Sequence, residues 1–233
     1  MKQAQAWPMP WLVLILLVLI GPPALARSVD VALVLAIDSS SSINTEEFAL
    51  QREGLAAAFR DPDVQALMTA GPQGAVAVTI LEWSDASWQE VAEPWRVLDG
   101  AAAAEALAAD LDILPRRIWG GATAIGAALV RARAVLAEAP AAGRRVIDVS
   151  GDGSATDPRR LATIRAQLQA EGVTVNGLAI LGEEANLDTY YQAEVITGPG
   201  AFMIVAKDFS DFARAFRIKL LRELQPGPVA QVR

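Results

Sequence analysis

Short apolar runs separated by helical patterns constrain the fold of this chain more than any other feature of its sequence. VALVLAI (31–37), AVAVTILEW (75–83), RVIDVS (145–150), VTVNGLAIL (173–181) and AFMIVA (201–206) have the length and β-branched content of strands. They are apolar at nearly every position rather than at alternate ones, which is how strands covered on both faces read. Between them, TEEFALQREGLAAAFR (45–60), AAAAEALAADLDIL (101–114), ATAIGAALVRARAVLAEA (122–139) and PRRLATIRAQLQAEG (158–172) have helical composition. The order predicts an α/β fold, doubly wound, with a mainly parallel sheet and helices on both faces. SWQEVAEPWRVL (87–98) reads as one antiparallel edge strand, because Pro94 is best tolerated at an edge. No internal repeat or linker divides residues 27–225, so one domain is expected there, followed by a flexible tail over 226–233.

The first residues read differently. Lys2 precedes the apolar run WLVLILLVLI (11–20), and small residues at Ala24 and Ala26 follow GPP. These are the regions of a secretory signal, with cleavage expected after Ala26. The apolar run is short for the ~20 residues a membrane helix needs. The expectation is a periplasmic or secreted protein with no membrane insertion after cleavage.

Composition removes whole classes of chemistry. The chain has no histidine and no cysteine, so His-based triads, Cys–His dyads, thiolate metal sites and disulfides are excluded. Its net charge is −7, which opposes binding to nucleic acid or anionic lipid. A monomer is favoured. Any bound metal must sit among oxygens.

Oxygen donors collect where strands end. Asp38-Ser-Ser40-Ser-Ser42 closes the first strand; Trp119-Gly-Gly-Ala-Thr123 leads into a helix, with Thr123 expected in its first turn; Val149-Ser-Gly-Asp152-Gly closes RVIDVS. In doubly wound sheets ligands bind outside these carboxyl ends. A small divalent cation such as magnesium or manganese takes six oxygens. Positions 38, 40 and 42 converge on an ion if the loop curls. Hydroxyls from Ser40, Ser42 and Thr123 fix the ion without quenching its charge, while Asp38 and Asp152 ligate it or accept from its waters. Taken singly, each segment reads as a helix cap or a turn. Their joint occurrence favours the metal.

Other residues carry weaker signals. Gly151-Asp-Gly153 lacks the third glycine of a dinucleotide loop. Trp83, Trp88, Trp95 and Trp119 are expected to pack or to line the rim of the site, Asp157 to cap a helix, and Tyr190-Tyr191 to lie in a packed helix.

The set Asp38, Ser40, Ser42, Thr123 and Asp152 resembles the metal-ion-dependent adhesion site of von Willebrand factor type A domains, whose pattern is Asp-x-Ser-x-Ser with a separate Thr and a separate Asp. RRVIDVSGDG (144–153) and YYQAEVITGPGAFM (190–203) resemble an exported bacterial subgroup known only as a domain of unknown function. The resemblance covers about residues 28 to 224. It implies magnesium (or manganese) at the carboxyl edge of the sheet and a non-enzymatic protein-binding, adhesion-type module, whose partner presents an Asp or Glu carboxylate to the ion. The alternative is a magnesium-dependent phosphoryl hydrolase. It is disfavoured because the sequence offers no obvious base, and Ser40 stands where an aspartyl phosphotransferase would carry its second carboxylate.

Overall fold

The computed structural model describes residues 27–182 and 184–225. The expected signal segment, 1–26, and the expected tail, 226–233, lie outside the described residues. In chain order the elements are β1 (Val29–Asp38), α1 (Thr45–Arg60), α2 (Pro62–Met68), β2 (Val76–Trp83), β3 (Gln89–Leu98), α3 (Ala101–Asp112), α4 (Ile125–Leu136), β4 (Ala142–Gly151), α5 (Pro158–Ala170), β5 (Thr174–Ile180), α6 (Leu187–Tyr190), β6 (Met203–Ala206) and α7 (Phe212–Leu224). A π-turn, Tyr191–Val195, continues α6.

The strands form one sheet in the order β3-β2-β1-β4-β5-β6. β3 runs antiparallel to β2; the other pairings are parallel. This is the doubly wound, mainly parallel α/β sheet that the sequence predicts, with its antiparallel strand at an edge. Pro94 sits in that strand beside a register shift, where Pro94 and Trp95 together face Thr79. An edge bulge accommodates a residue that cannot donate to a ladder.

The side-chain alternation of β1 separates two cores. Leu33, Leu35 and Ile37 pack under α1, α3 and α7, and Ala32, Val34 and Ala36 under α4 and α5. Both faces are therefore covered, which is why VALVLAI shows no polar alternation. Asn44 starts α1 with a capping box: its side chain accepts from the Glu46 and Glu47 amides, and Glu47 accepts from the Asn44 amide at 2.9 Å. This cap stops the Ser-rich loop two residues after Ser42 and fixes where the helix departs.

Helix α4 departs from expectation. It begins at Ile125 rather than 122, so Thr123 lies before the N-cap, Ala124, and not in the first turn. The reason is local. Gly120 and Gly121 have φ of +88° and +98°, left-handed values that hold the preceding backbone away from helix.

Candidate metal centre

β1 delivers Asp38 to the carboxyl edge, fully buried. Its Oδ1 accepts from the Ser40 amide at 2.8 Å, which curls the loop back toward the strand. The Ser40 and Ser42 hydroxyls are 3.1 Å apart, and Ser42 Oγ donates to Asp152 Oδ1 at 2.9 Å. The loop thus brings 38, 40 and 42 into one hydrogen-bonded row that ends on the β4 loop. Ser40 is buried while Ser42 is exposed, so the row runs from the interior to solvent.

Thr123 joins the same place from a third loop. Its carbonyl accepts from the Thr156 amide at 2.9 Å, and the Gly121 carbonyl accepts from the Ser41 amide at 3.0 Å. A Cβ on Gly153 would lie 3.5 Å from Thr123 Oγ1, so the hydroxyl faces the residue after Asp152. All of the sequence-derived donors come together at this edge.

The electrostatics are those of a crowded carboxylate pair. Burial pushes the Asp38 carboxyl up to about 7, and the nearby negative charge of Asp152 adds to the shift; hydrogen bonds from Ser40 and the charge of Arg116 oppose it. Asp38 Oδ2 is buried with no hydrogen-bond partner among the described residues.

Several supporting residues carry no motif and escape a reading of the sequence. Arg116 donates to the Ser39, Ser40, Ile43 and Ile118 carbonyls at 3.0, 3.2, 2.8 and 2.7 Å. Its guanidinium also lies over the Phe48 and Trp119 rings, at 5.5 and 4.8 Å from their centres. One side chain thus clamps the Ser-rich loop to the glycine loop. Gln51 donates to the Asp38 carbonyl at 3.2 Å. Glu82, buried at the end of β2, accepts from the Arg117 and Ile118 amides at 2.9 and 3.1 Å; desolvation raises its pKa. Glu184 accepts from the Ser154 amide at 2.6 Å and from the Ser154 hydroxyl.

The expectation for Asp157 holds in kind but not in address. It caps α4 rather than the helix it precedes, accepting from the Gly126 and Ala127 amides at 2.9 Å each. The tryptophans divide. Trp83 is fully buried and cannot reach a rim, and Trp95 packs with its Nε1 donating to the Val135 carbonyl. Trp119 is 59% and Trp88 37% exposed. Beside the centre, a cleft of about 340 Å³ is lined by Ser42, Asp152, Glu46, Leu50 and Phe209 among others.

Solved structures share this architecture. A von Willebrand factor type A protein from Catenulispora acidiphila matches with TM-score 0.59 and 17% identity, over 84% of this chain and 43% of that one. The pilus adhesin SpaC from Lactobacillus rhamnosus GG matches with TM-score 0.61 and 14% identity, over 84% and 30%. Proximal thread matrix protein 1 from the mussel byssus, with a zinc-occupied MIDAS motif, matches with TM-score 0.60 and 15% identity, over 86% and 47%. At such identities the likeness is one of fold, and the chain spans less than half the length of each of these proteins. No curated protein sequence matches it. Among the described residues no helix is long and apolar enough to cross a membrane. The family model described as "Protein of unknown function (DUF1194)" matches residues 28–228, and the chain, with its von Willebrand factor A-like fold, belongs to that family.

Proposed function

We propose that this chain is an exported binding module that holds one divalent cation, magnesium or manganese, among Asp38, Ser40, Ser42, Thr123 and Asp152, and uses it to bind a carboxylate on a protein partner. The observation that carries the reading is the state of Asp38: a buried carboxylate with an orphaned oxygen, beside a second carboxylate and a row of hydroxyls. A buried oxygen without a partner is costly, and adjacent negative charges repel. A cation among them relieves both. The donors are all hard oxygens, which suits magnesium or manganese. When bound, the ion supplies a positively charged coordination point for an external Asp or Glu.

Binding is favoured over phosphoryl hydrolysis because Glu82 and Glu184, close to the centre, are engaged by backbone amides, and Ser40 stands where an aspartyl phosphotransferase would carry its second carboxylate. The mussel and pilus proteins, a matrix protein and an adhesin by name, support the same class. Selectivity for one acidic partner falls to the rim, where Trp119 is more exposed than Trp88. Export follows from the expected cleavage after Ala26, and mass spectrometry of the native protein should find Arg27 at the amino terminus.

Calorimetric titration of chelator-treated protein with magnesium or manganese chloride tests the reading. One site is expected, weakened strongly by Asp38→Ala. Undiminished binding in that variant overturns the assignment. Retention of an envelope protein on the immobilised domain should then require the cation and fall in Thr123→Ala.

A further inference from the structure

A second buried oxygen without a partner lies beside the first. Tyr191 is fully buried, and its hydroxyl, like Asp38 Oδ2, has no hydrogen-bond partner among the described residues. The ring reaches the centre over two strands, on the face that carries Ala36, Val149 and Ala179. On β5, a Cβ at Gly177 would come 2.9 Å from Tyr191 Cδ1; on β4, a Cβ at Gly151 would come 2.8 Å from the Tyr191 hydroxyl and 2.8 Å from Asp38 Oδ2. The two glycines leave a shallow on that face of the sheet, over which the phenol lies. Its oxygen and the orphaned oxygen of Asp38 then border the same small space at Gly151.

We propose that the Tyr191 hydroxyl donates toward Asp38 Oδ2 through one water held in this gap, and is so a positioning residue for the metal centre. The proposal builds on the cation reading above. Two buried polar atoms facing one gap each carry a desolvation cost; a water between them satisfies the phenol and one lone pair of Oδ2, and leaves the second lone pair to face the cation. The donor and acceptor roles follow from the groups themselves: a phenol carries a proton to donate, and a carboxylate oxygen accepts. With Oδ1 taken by the Ser40 amide and Oδ2 held by Tyr191 through that water, the carboxylate keeps one orientation. Outer partners of this kind tune a metal site by orienting its ligands.

The local backbone supports a dedicated placement. Tyr191 opens the π-turn Tyr191–Val195, an insertion that re-aims a side chain relative to regular helix. Its neighbour Tyr190 packs edge-on to it, 6.4 Å between ring centres, and accepts from the Ala155 amide at 3.1 Å. The adjacent tyrosines therefore hold the two halves of the centre, Tyr190 the loop after Asp152 and Tyr191 the carboxylate of Asp38.

Fluorine NMR of protein labelled with 3-fluorotyrosine tests this, because the chain has 2 tyrosines and Tyr191→Phe assigns the resonances. The Tyr191 signal should shift in Asp38→Asn and again on adding magnesium to the wild type. Tyr191→Phe, which keeps the ring packed, should retain the thermal midpoint and lower magnesium affinity about tenfold or more. A Tyr191 signal indifferent to Asp38→Asn, or unaltered magnesium affinity in a folded Tyr191→Phe, overturns the proposal. Should Tyr191→Phe not fold, the Asp38→Asn shift decides alone. A wild type that binds no cation yet shows that shift would refute the metal reading and leave the Tyr191–Asp38 link standing.

Discussion

Ser42 Oγ donates to Asp152 Oδ1 at 2.9 Å, joining residues 110 apart in sequence. The same hydroxyl meets Ser40, so it links the β1 loop to the β4 loop across the mouth of the centre. Because Ser42 is exposed, Ser42→Ala should remove a proposed donor to the ion at little cost to the fold, within about 1 kcal/mol by urea denaturation. Magnesium affinity measured by calorimetry should nevertheless fall at least tenfold. A variant that loses stability but keeps its affinity would make this hydroxyl a loop staple only.

Asp157 offers the reverse case. Its carboxylate caps α4 from the loop that follows β4, and that cap fixes the backbone just after Thr123. Asp157→Ala exposes two amides to a site without their acceptor and should cost about 1–2 kcal/mol of stability. Affinity for the cation should fall as well, although Asp157 lies outside the donor set. Asp157→Asn, which keeps one acceptor oxygen, should recover part of both.

The raised pKa values give a pH signature with a definite sign. Asp38 and Asp148 are each pushed from 3.8 up to about 7, mainly by burial, with Asp152 adding at the first and Glu223 at the second. A carboxyl whose folded pKa exceeds its unfolded value stabilises the fold fully below the unfolded pKa and loses that contribution as pH rises through the folded one. The metal-free protein should therefore melt several degrees lower at pH 8 than at pH 5. A bound cation competes with the Asp38 proton, so stabilisation by saturating magnesium should grow over the same interval. Melting curves with chelator and with magnesium at each pH check both. A chelated protein more stable at pH 8 contradicts the assigned burial of Asp38.

Much of this was legible in the sequence because the informative residues are local. Strand β1 announces itself by being apolar on both faces, and the Asp-x-Ser-x-Ser loop sits directly at its end. Asp152 was legible as a further candidate donor at a strand end and Thr123 as one before a helix, although the segment leading to Thr123 follows α3 and not a strand. What was not legible is whatever depends on contact across the sheet. Arg116 follows Pro115 in no recognisable pattern, and its role exists only because Phe48, Trp119 and the Ser-rich loop surround it. The Gly151–Asp152–Gly153 stretch looked like a turn, whereas Gly151 is needed because Asp38 and Tyr191 occupy the space a side chain would take. Of the two roles the sequence left open for Trp83, packing or lining the rim, the structure shows packing: it belongs to a strand covered on both faces, so its indole is core.

Trp119 is the residue on which partner recognition should depend most. It is 59% exposed on a loop that Gly120 and Gly121 bend and Arg116 grips, through cation–π contact with the ring and a hydrogen bond to the Ile118 carbonyl beside it. A large aromatic held rigidly at the edge of a polar centre loses little freedom when a partner covers it, which is the character of residues that dominate interfaces. The indole is not a donor to the cation, so Trp119→Ala should leave magnesium affinity and melting temperature near wild type. Retention of the proposed metal-dependent envelope partner should drop at least tenfold. Arg116→Lys should act in the same direction, because an ammonium cannot serve the several carbonyls and two rings that the guanidinium serves at once; in that variant cation affinity should fall too. If Trp119→Ala holds its partner as tightly as the wild type, recognition lies on the opposite side of the centre, along the cleft formed by Leu50, Glu46 and Phe209.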